Sequence, residues 1–538
     1  MLAILSNTNC EPIIRRIKKD IPCMESTGYG SIFEELLNPQ SNVSIQRPEV
    51  ILLLIDLQEY IRLETDSKKR IDVFFQNLRQ SVQSSCLYFI SDASYYMPVE
   101  ATYKGNALAR QAAHYWNSKL YELCAEYKNC ELFPIDNLVR EMGMRSFYSE
   151  KTWYLGSVRY SLDGIKGICA EIYRLMAAVQ GKTKKILLLD LDNTLWGGTV
   201  GEDGTDGVLL ADSGTGKAYK AFQCQIRELK DTGVALAIVS KNNEADVWEM
   251  IENHPHMVLR RSDFAASRIN WDQKSSNIRS LAKELNVGMD SMVFVDDNLR
   301  ECQEVSTFLP QVAVEPFPDQ PEKIVEFGRR LTQEYFMKLS VTEEDRYKTE
   351  QYQARGKIAE AEREAVDFPS FLESLAIVLE RRDPQHHMDR LIQLVQKTNQ
   401  FNTTVTRYTR ADLEQMAGSR DWKIFFYEVR DAFANHGLCA ATFVHIGESA
   451  CIDNFLMSCR VMGRNIEYGI LNAVEEGLLK EGVTSIEAVF REGPKNAPVR
   501  TLFDRAGYLL VSDSGAEKRY CRGTGRGEIF VGRIIDNL

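Results

Sequence analysis

The twelve cysteines of this 538-residue chain form no Cys-x-x-Cys pair and no Cys/His cluster at zinc-ligand spacing. That pattern excludes a zinc module and gives no sign of a disulfide framework, so scattered reduced thiols are expected. No apolar run approaches the roughly eighteen residues of a membrane span. The first residues, Met1 to Asn7, read as a buried strand and turn without the basic start and long apolar core of a secretory leader. A cytoplasmic protein with no membrane contact is expected. Positive charge is not in excess either: 65 Lys and Arg stand against 76 Asp and Glu, a net charge of -11. A polyanion such as nucleic acid is therefore not the expected partner, although a local phosphate pocket remains compatible. Internal repeats and low-complexity segments are missing as well.

What is present is ordinary globular composition, 44% hydrophobic and 26% charged, at a length that suits roughly two to four domains. In residues 1–180 the short apolar runs Leu2 to Leu5, Val50 to Ile55 and Leu87 to Ile90 are separated by helical patterns such as Ala107 to Tyr127, which predicts an α/β domain with a parallel sheet. A basic joint at Gly181 to Lys185 leads into a second α/β alternation over 181–320. Residues 321–365 turn highly charged and helix-prone with little apolar face, and read as a solvated helical connector. A third, mixed α/β domain over 366–538 is predicted from strands at Leu375 to Leu379, Ile424 to Val429, Leu438 to His445 and Ile452 to Met457, with helices His386 to Gln396 and Arg464 to Lys480.

The chemistry is concentrated in the second domain. The apolar strand Ile186 to Leu189 runs into Asp190 and Asp192, two acids at i and i+2 that can converge on the crevice at the carboxyl edge of a sheet. One acid can attack while the other moves protons. Such a pair repels itself unless a cation lies between, and hard oxygen ligands suit Mg2+. An isolated Asp-x-Asp is most often a turn or a helix cap. Here three further elements follow in order: Ser240 at the end of the strand Val234 to Val239, Lys274 at the start of a helix, and Asp296-Asp297 after the strand Met292 to Val295. A serine hydroxyl can hold a phosphate oxygen, a positioned lysine can offset charge in the transition state, and the last two acids complete a carboxylate set.

These four motifs resemble those of the haloacid dehalogenase superfamily. The resemblance implies a Rossmann-like core, Asp190 as the nucleophile that forms an aspartyl-phosphate, Asp192 as general acid/base, and a metal held by Asp190, Asp192, Asp296 and Asp297. No large cap fits between Thr194 and Lys217 or between Ser240 and Lys274. The site is expected to be open, covered by another domain or by a macromolecular substrate.

In the third domain, Cys459, Arg460, Gly463, Arg464 and Asn465 lie between a strand and a helix. They resemble the Arg-x-x-Gly-x-Gly/Ala pyrophosphate loop of the GCN5-related acyltransferase fold, with Asn465 in place of the last small residue. Asn496, Phe503, Gly507 and Tyr508 resemble a later helix of the same fold. Phosphate binding by the backbone at a helix start, with close approach at Gly463, is what this loop implies. Together with Asp190-Leu-Asp-Asn-Thr-Leu-Trp-Gly-Gly and Lys397-Thr-Asn-Gln-Phe-Asn402, the pattern over 180–510 is similar to the FkbH-like family. That resemblance implies removal of phosphate from 1,3-bisphosphoglycerate and passage of a glyceryl group, through an enzyme thioester, to the phosphopantetheine thiol of an acyl carrier protein in polyketide-type secondary metabolism.

Cys459 is the candidate thiol. It sits where a pantetheine arm would thread in such a fold, and Arg460 with the helix start would favour its thiolate; a small buried cysteine beside a strand end is the other reading. Lys397 to Asn402 is either an acyl- or carrier-contacting loop or a polar packing turn. Trp196 is either a packing residue or a shield over the site. The first domain resembles a degenerate SGNH- or flavodoxin-like hydrolase with Arg159 where a catalytic histidine would stand, which predicts binding or scaffolding. Two alternatives stay open: a Mg2+-dependent phosphatase on a sugar or polysaccharide precursor with separate acetyl-CoA chemistry, and a carrier-protein docking scaffold.

Overall fold

Strands in which every residue is apolar have no solvent face, and such strands are covered on both sides. The protein, a computed structural model, folds into three sheets, and the wholly apolar strands Val50–Leu54 and Ile186–Leu189 lie in its two parallel ones. It describes residues 1–24, 28–61, 66–83, 86–94, 107–341, 345, 347–447, 449–523 and 530–536; the side chains at 107–110, 355, 356, 359, 360, 362–364 and 460 also lie outside the description.

The first sheet is parallel in the order β1 (Leu2–Ser6), β2 (Val50–Leu54), β3 (Leu87–Ser91), β4 (Cys130–Phe133). All five residues of β1 and of β2 are buried, as the aliphatic runs predict. β4 is not evident in the sequence because only Cys130 and Phe133 of its four residues are buried. This sheet belongs to a compact unit made of Met1–Met176 and Thr409–Asp412; the rest of the chain forms a second unit.

The second unit holds two sheets. One is parallel, ordered β7 (Phe264–Ile269), β6 (Ala235–Ser240), β5 (Ile186–Leu189), β8 (Met292–Asp296), β9 (Ala313–Pro316). Alternate residues of its strands feed two cores: Leu187, Leu189 and Val293 face the helices Gly216–Asp231 and Pro321–Leu331, while Ile186, Leu188 and Phe294 face Lys274–Leu285. The sheet is doubly wound, and its carboxyl edge is the crevice where α/β sheets bind ligands. Between β5 and β6 come only the helix Gly216–Asp231 and a short helix, Val200–Gly207, kinked at Gly204. No large cap interrupts the described core.

Two expectations are corrected here. The segment 321–331 is not connector: Ile324, Phe327, Gly328 and Leu331 recur at helical spacing and are buried against this sheet's core. The helix Lys348–Glu364 is not merely solvated either. It buries Thr349, Gln351, Ala354 and Ile358, and Gln353 Nε2 donates to the carbonyls of Ser262 and Phe264 at 3.1 and 2.9 Å. Half of that buried set is polar, so no apolar stripe announces it.

The third sheet is mixed, ordered β15 (Leu509–Asp513), β16 (Glu517–Gly523), β14 (Ser485–Arg491), β13 (Ala450–Met457), β12 (Asn435–Ile446), β11 (Trp422–Arg430), β10 (Val378–Arg382), β17 (Arg533–Ile535). The strand predicted at Leu375 to Leu379 lies later, at β10. Asp367 caps the amide of Ser370 at 2.8 Å and Pro369 sits in the first turn, so Phe368–Leu375 folds as a helix instead. β13 and β14 run parallel but pair only at Ala450–Ile452, after which they diverge.

Candidate active site

Asp190 follows β5 directly and its amide donates to Val295 O of β8 at 3.0 Å, which fixes the acid between two central strands. Its side chain is nearly buried, and Asp190 Oδ1 accepts no hydrogen bond. Lys274, at the first turn of its helix and 3% exposed, brings Nζ within 2.9 Å of that oxygen and 2.5 Å of Asp296 Oδ2. The 2.9 Å approach is an ion-pair distance. Ser240 closes β6 and is 2% exposed. Asp296 ends β8, wholly buried, and accepts the amide of Asn298 at 2.8 Å; Asp297 is beside it.

Burial dominates the titration of these groups. It pushes the Asp296 carboxyl up to about 7, helped by the charge of Asp190 and opposed by Lys274. Asp297 rises to about 6 for the same first two reasons. Burial pulls the Lys274 ammonium down, but Asp190 and Asp296 outweigh it and hold Lys274 above its ordinary value. Three carboxylates against one lysine leave this pocket short of positive charge.

A cation fits that deficit. One carboxylate oxygen from each of Asp190, Asp296 and Asp297 lies within 4.8 Å of the other two. Hard carboxylate donors in this number suit Mg2+ rather than a softer metal.

Asp192 lies outside this trio. Its Oδ1 accepts the indole N–H of Trp196 at 2.9 Å and the amide of Val200 at 3.0 Å, and its Oδ2 accepts Asn242 Nδ2 at 2.8 Å. Burial nevertheless raises its pKa, with these donors opposing. An acid that is oriented by three donors and reluctant to ionise suits proton transfer. Trp196 is therefore no shield over an open site: it is fully buried beneath Asp192. Asn242 is missed by the sequence reading, although its place two residues after Ser240 was available as a signal.

The mixed-sheet half stands elsewhere. Asn286, the left-handed cap at the far end of the Lys274 helix, donates to Cys459 O at 3.0 Å. Twelve residues separate those ends, about 18 Å along the axis at 1.5 Å per residue. Lys495 pairs with Asp290 at 2.6 Å on the same side, just before β8 begins. These contacts gather at the amino edge of the parallel sheet, opposite the carboxylates.

Within that half, Cys459 is partly exposed and opens a single tight turn; the side chain of Arg460 lies outside the described residues. Gly463 has φ 82 and Asn465 φ 57, so the loop needs left-handed backbone at both. Arg464 is turned inward: its guanidinium donates to Asp431 Oδ2 at 2.7 Å and lies 3.2 Å from His436 Nε2. Burial pushes Asp431 up, but His436 and Arg464 outweigh it and lower it. Asn496, fully buried, spends its amide on Asn402 O and Arg491 O. In the first unit, Arg159 forms a buried ion pair with Asp56 at 2.5 Å and stacks on Trp153 at 4.0 Å.

No known family model matches this chain, and no curated protein matches it. Among solved structures it is similar to the N-terminal part of the protein BF1531 from Bacteroides fragilis, which contains a phosphatase domain and was crystallised with Mg. The two share 28% identity at a TM-score of 0.58 over 63% of this chain and 94% of that one. Weaker likenesses include the ribosomal-protein-S18-alanine N-acetyltransferase from Escherichia coli (9% identity, TM-score 0.23, 28% and 96% of the chains) and the aminoglycoside acetyltransferase AAC(6')-Ib in complex with coenzyme A (14%, 0.21, 27% and 94%). The multidomain α/β layout, with two parallel sheets and one mixed sheet, rests on the topology described above. No described helix is long and apolar enough to cross a membrane.

Proposed function

We propose that this chain is a Mg2+-dependent phosphatase of the haloacid dehalogenase type, coupled to transfer of a glyceryl group onto the thiol of an acyl carrier protein. The observation that carries the phosphatase reading is Lys274 bridging Asp190 and Asp296 inside a buried, cation-deficient carboxylate trio. Asp190, Asp296 and Asp297 would hold Mg2+, which supplies charge neutralisation for an incoming phosphate.

An oxygen of Asp190 attacks phosphorus, the bond to the leaving oxygen breaks, and Asp192 gives that oxygen its proton. Water then attacks the aspartyl-phosphate while Asp192 takes its proton, which frees inorganic phosphate and restores Asp190. Ser240 and Lys274 would hold phosphate oxygens through both steps.

The substrate would be 1,3-bisphosphoglycerate. Its 3-phosphate is removed at Asp190. The Cys459 thiolate attacks the activated carboxyl carbon, the 1-phosphate leaves, and the resulting thioester passes its glyceryl group to the carrier thiol. Because the two centres stand at opposite ends of the Lys274 helix, the three-carbon substrate must move between them.

Intact-mass measurement with Mg2+, 1,3-bisphosphoglycerate and a phosphopantetheinylated carrier tests this reading. A glyceryl adduct on the enzyme that disappears in Cys459→Ala is expected. Phosphate release with no adduct at any time would leave a phosphatase alone and refute the transfer half.

A further inference from the structure

The acyltransferase-like fold implies a pantetheine arm, of coenzyme A or of a carrier, threaded between β13 and β14 beside Cys459. A gap between diverging strands suits such an arm because both strand edges present unpaired backbone groups, and an extended amide-bearing chain can pair with them as a strand does. The fit therefore depends on whether those groups are available.

They are not. Beyond Ile452, where its pairing with β14 stops, the outer edge of β13 is taken up by residues Phe401 to Thr403 of this same chain. Met457 N donates to Phe401 O at 3.1 Å, Thr403 N to Phe455 O at 3.2 Å, and Phe455 N to Thr403 Oγ1 at 2.9 Å. Asn402 and Leu456 face one another as an antiparallel bridge. From the other side of the gap, Arg491 N at the end of β14 donates to Thr403 O at 2.8 Å.

The wedge is locked as well as paired. Asn496 Nδ2 donates to Asn402 O at 2.9 Å, and Asn402 Oδ1 accepts Val405 N at 2.7 Å. Val405 has φ 57, a left-handed conformation that a β-branched residue adopts only when its surroundings force it. Gly493 leaves the room it needs, since a Cβ there would stand 2.5 Å from Val405 Cγ2.

We infer that the chain's own Phe401–Thr403 segment fills the slot in which the fold would take pantetheine, so that this half binds neither coenzyme A nor a carrier's arm through its sheet. Any thiol that meets Cys459 does so from outside the sheet. The inference is independent of whether Cys459 carries an acyl group, and it disfavours separate acetyl-CoA chemistry.

Hydrogen–deuterium exchange by mass spectrometry on the full chain tests it, on peptides covering 401–404, 453–457 and 489–492, alone and with saturating coenzyme A or pantetheine. Slow exchange that neither compound alters is expected. The inference is overturned if these peptides exchange as fast as an open loop, or if either compound saturably changes their exchange. A Thr403→Pro variant, which deletes the donor to Phe455 O, is expected to speed exchange in 453–457. Unchanged exchange there in a folded variant would also overturn it.

Discussion

Trp196, with none of its surface exposed, donates its indole N–H to Asp192 Oδ1 at 2.9 Å. A hydrogen bond to a charged group is worth about 1.5–3 kcal/mol, and each 1.36 kcal/mol in a barrier is about tenfold in rate. Trp196→Phe keeps a ring in the core but removes the donor. Steady-state phosphate release is expected to show a kcat about ten- to a hundredfold lower with little change in KM. Asn242→Ala, which frees the other oxygen of Asp192, should act alike and non-additively with it. A parental kcat in both variants would show that Asp192 needs no positioning.

Lys274 is the cation inside the carboxylate trio, so Lys274→Met leaves buried negative charges unpaired, a loss of about 3–5 kcal/mol. Thermal unfolding of this variant should begin well below the parent in chelator, and Mg2+ should recover part of the difference by binding the folded state. An unfolding midpoint equal to the parent's in chelator would contradict the ion-pair account.

Asp92, in the first unit, is pushed up from 3.8 to about 6, first by burial and then by the charge of Asp136. A carboxyl raised in the fold holds its extra proton there, so its stabilising effect is complete below about pH 4 and is lost as pH rises through about 6. Asp92→Asn keeps an acceptor for the amide of Asp136, which Asp92 Oδ1 meets at 2.8 Å. Urea titrations should find this variant flatter across that window and more stable at neutral pH, by at most about 3 kcal/mol at 1.36 kcal/mol per unit. Equal slopes in variant and parent would rule the effect out.

Cys459 lies at the end of the Lys274 helix remote from the carboxylates. Cys459→Ala should therefore release phosphate from a simple phosphomonoester within about twofold of the parent, since distant sites act independently, while losing any thioester. A large drop in both would mean that the centres are coupled.

The sequence exposes those parts of the fold and site in which one residue type does one job. Strands β2 and β5 are legible because all their residues are apolar and buried on both faces, and β1 because all but its last residue, Ser6, are. Asp190, Lys274 and Asp296 are legible because each acid or base ends a strand or begins a helix. Trp196 and Asn242 are not, because a buried indole reads as packing until its partner is seen. Arg464 matches a loop motif and Asn496 a later helix motif by type, but the structure turns both inward onto Asp431 and Asn402. The occupant of the β13–β14 gap is hidden for a different reason: it comes from some fifty residues earlier in the chain, and a backbone pairing of that reach leaves no local pattern.

The central claim is that Asp190 is the phosphorylated nucleophile. Acid-quenching the protein during turnover with Mg2+ and substrate, then mapping the modified peptide by mass spectrometry, examines it directly. A phosphoryl adduct on Asp190 that vanishes in Asp190→Asn together with phosphate release is expected. Release of phosphate by Asp190→Asn at the parental rate would contradict it.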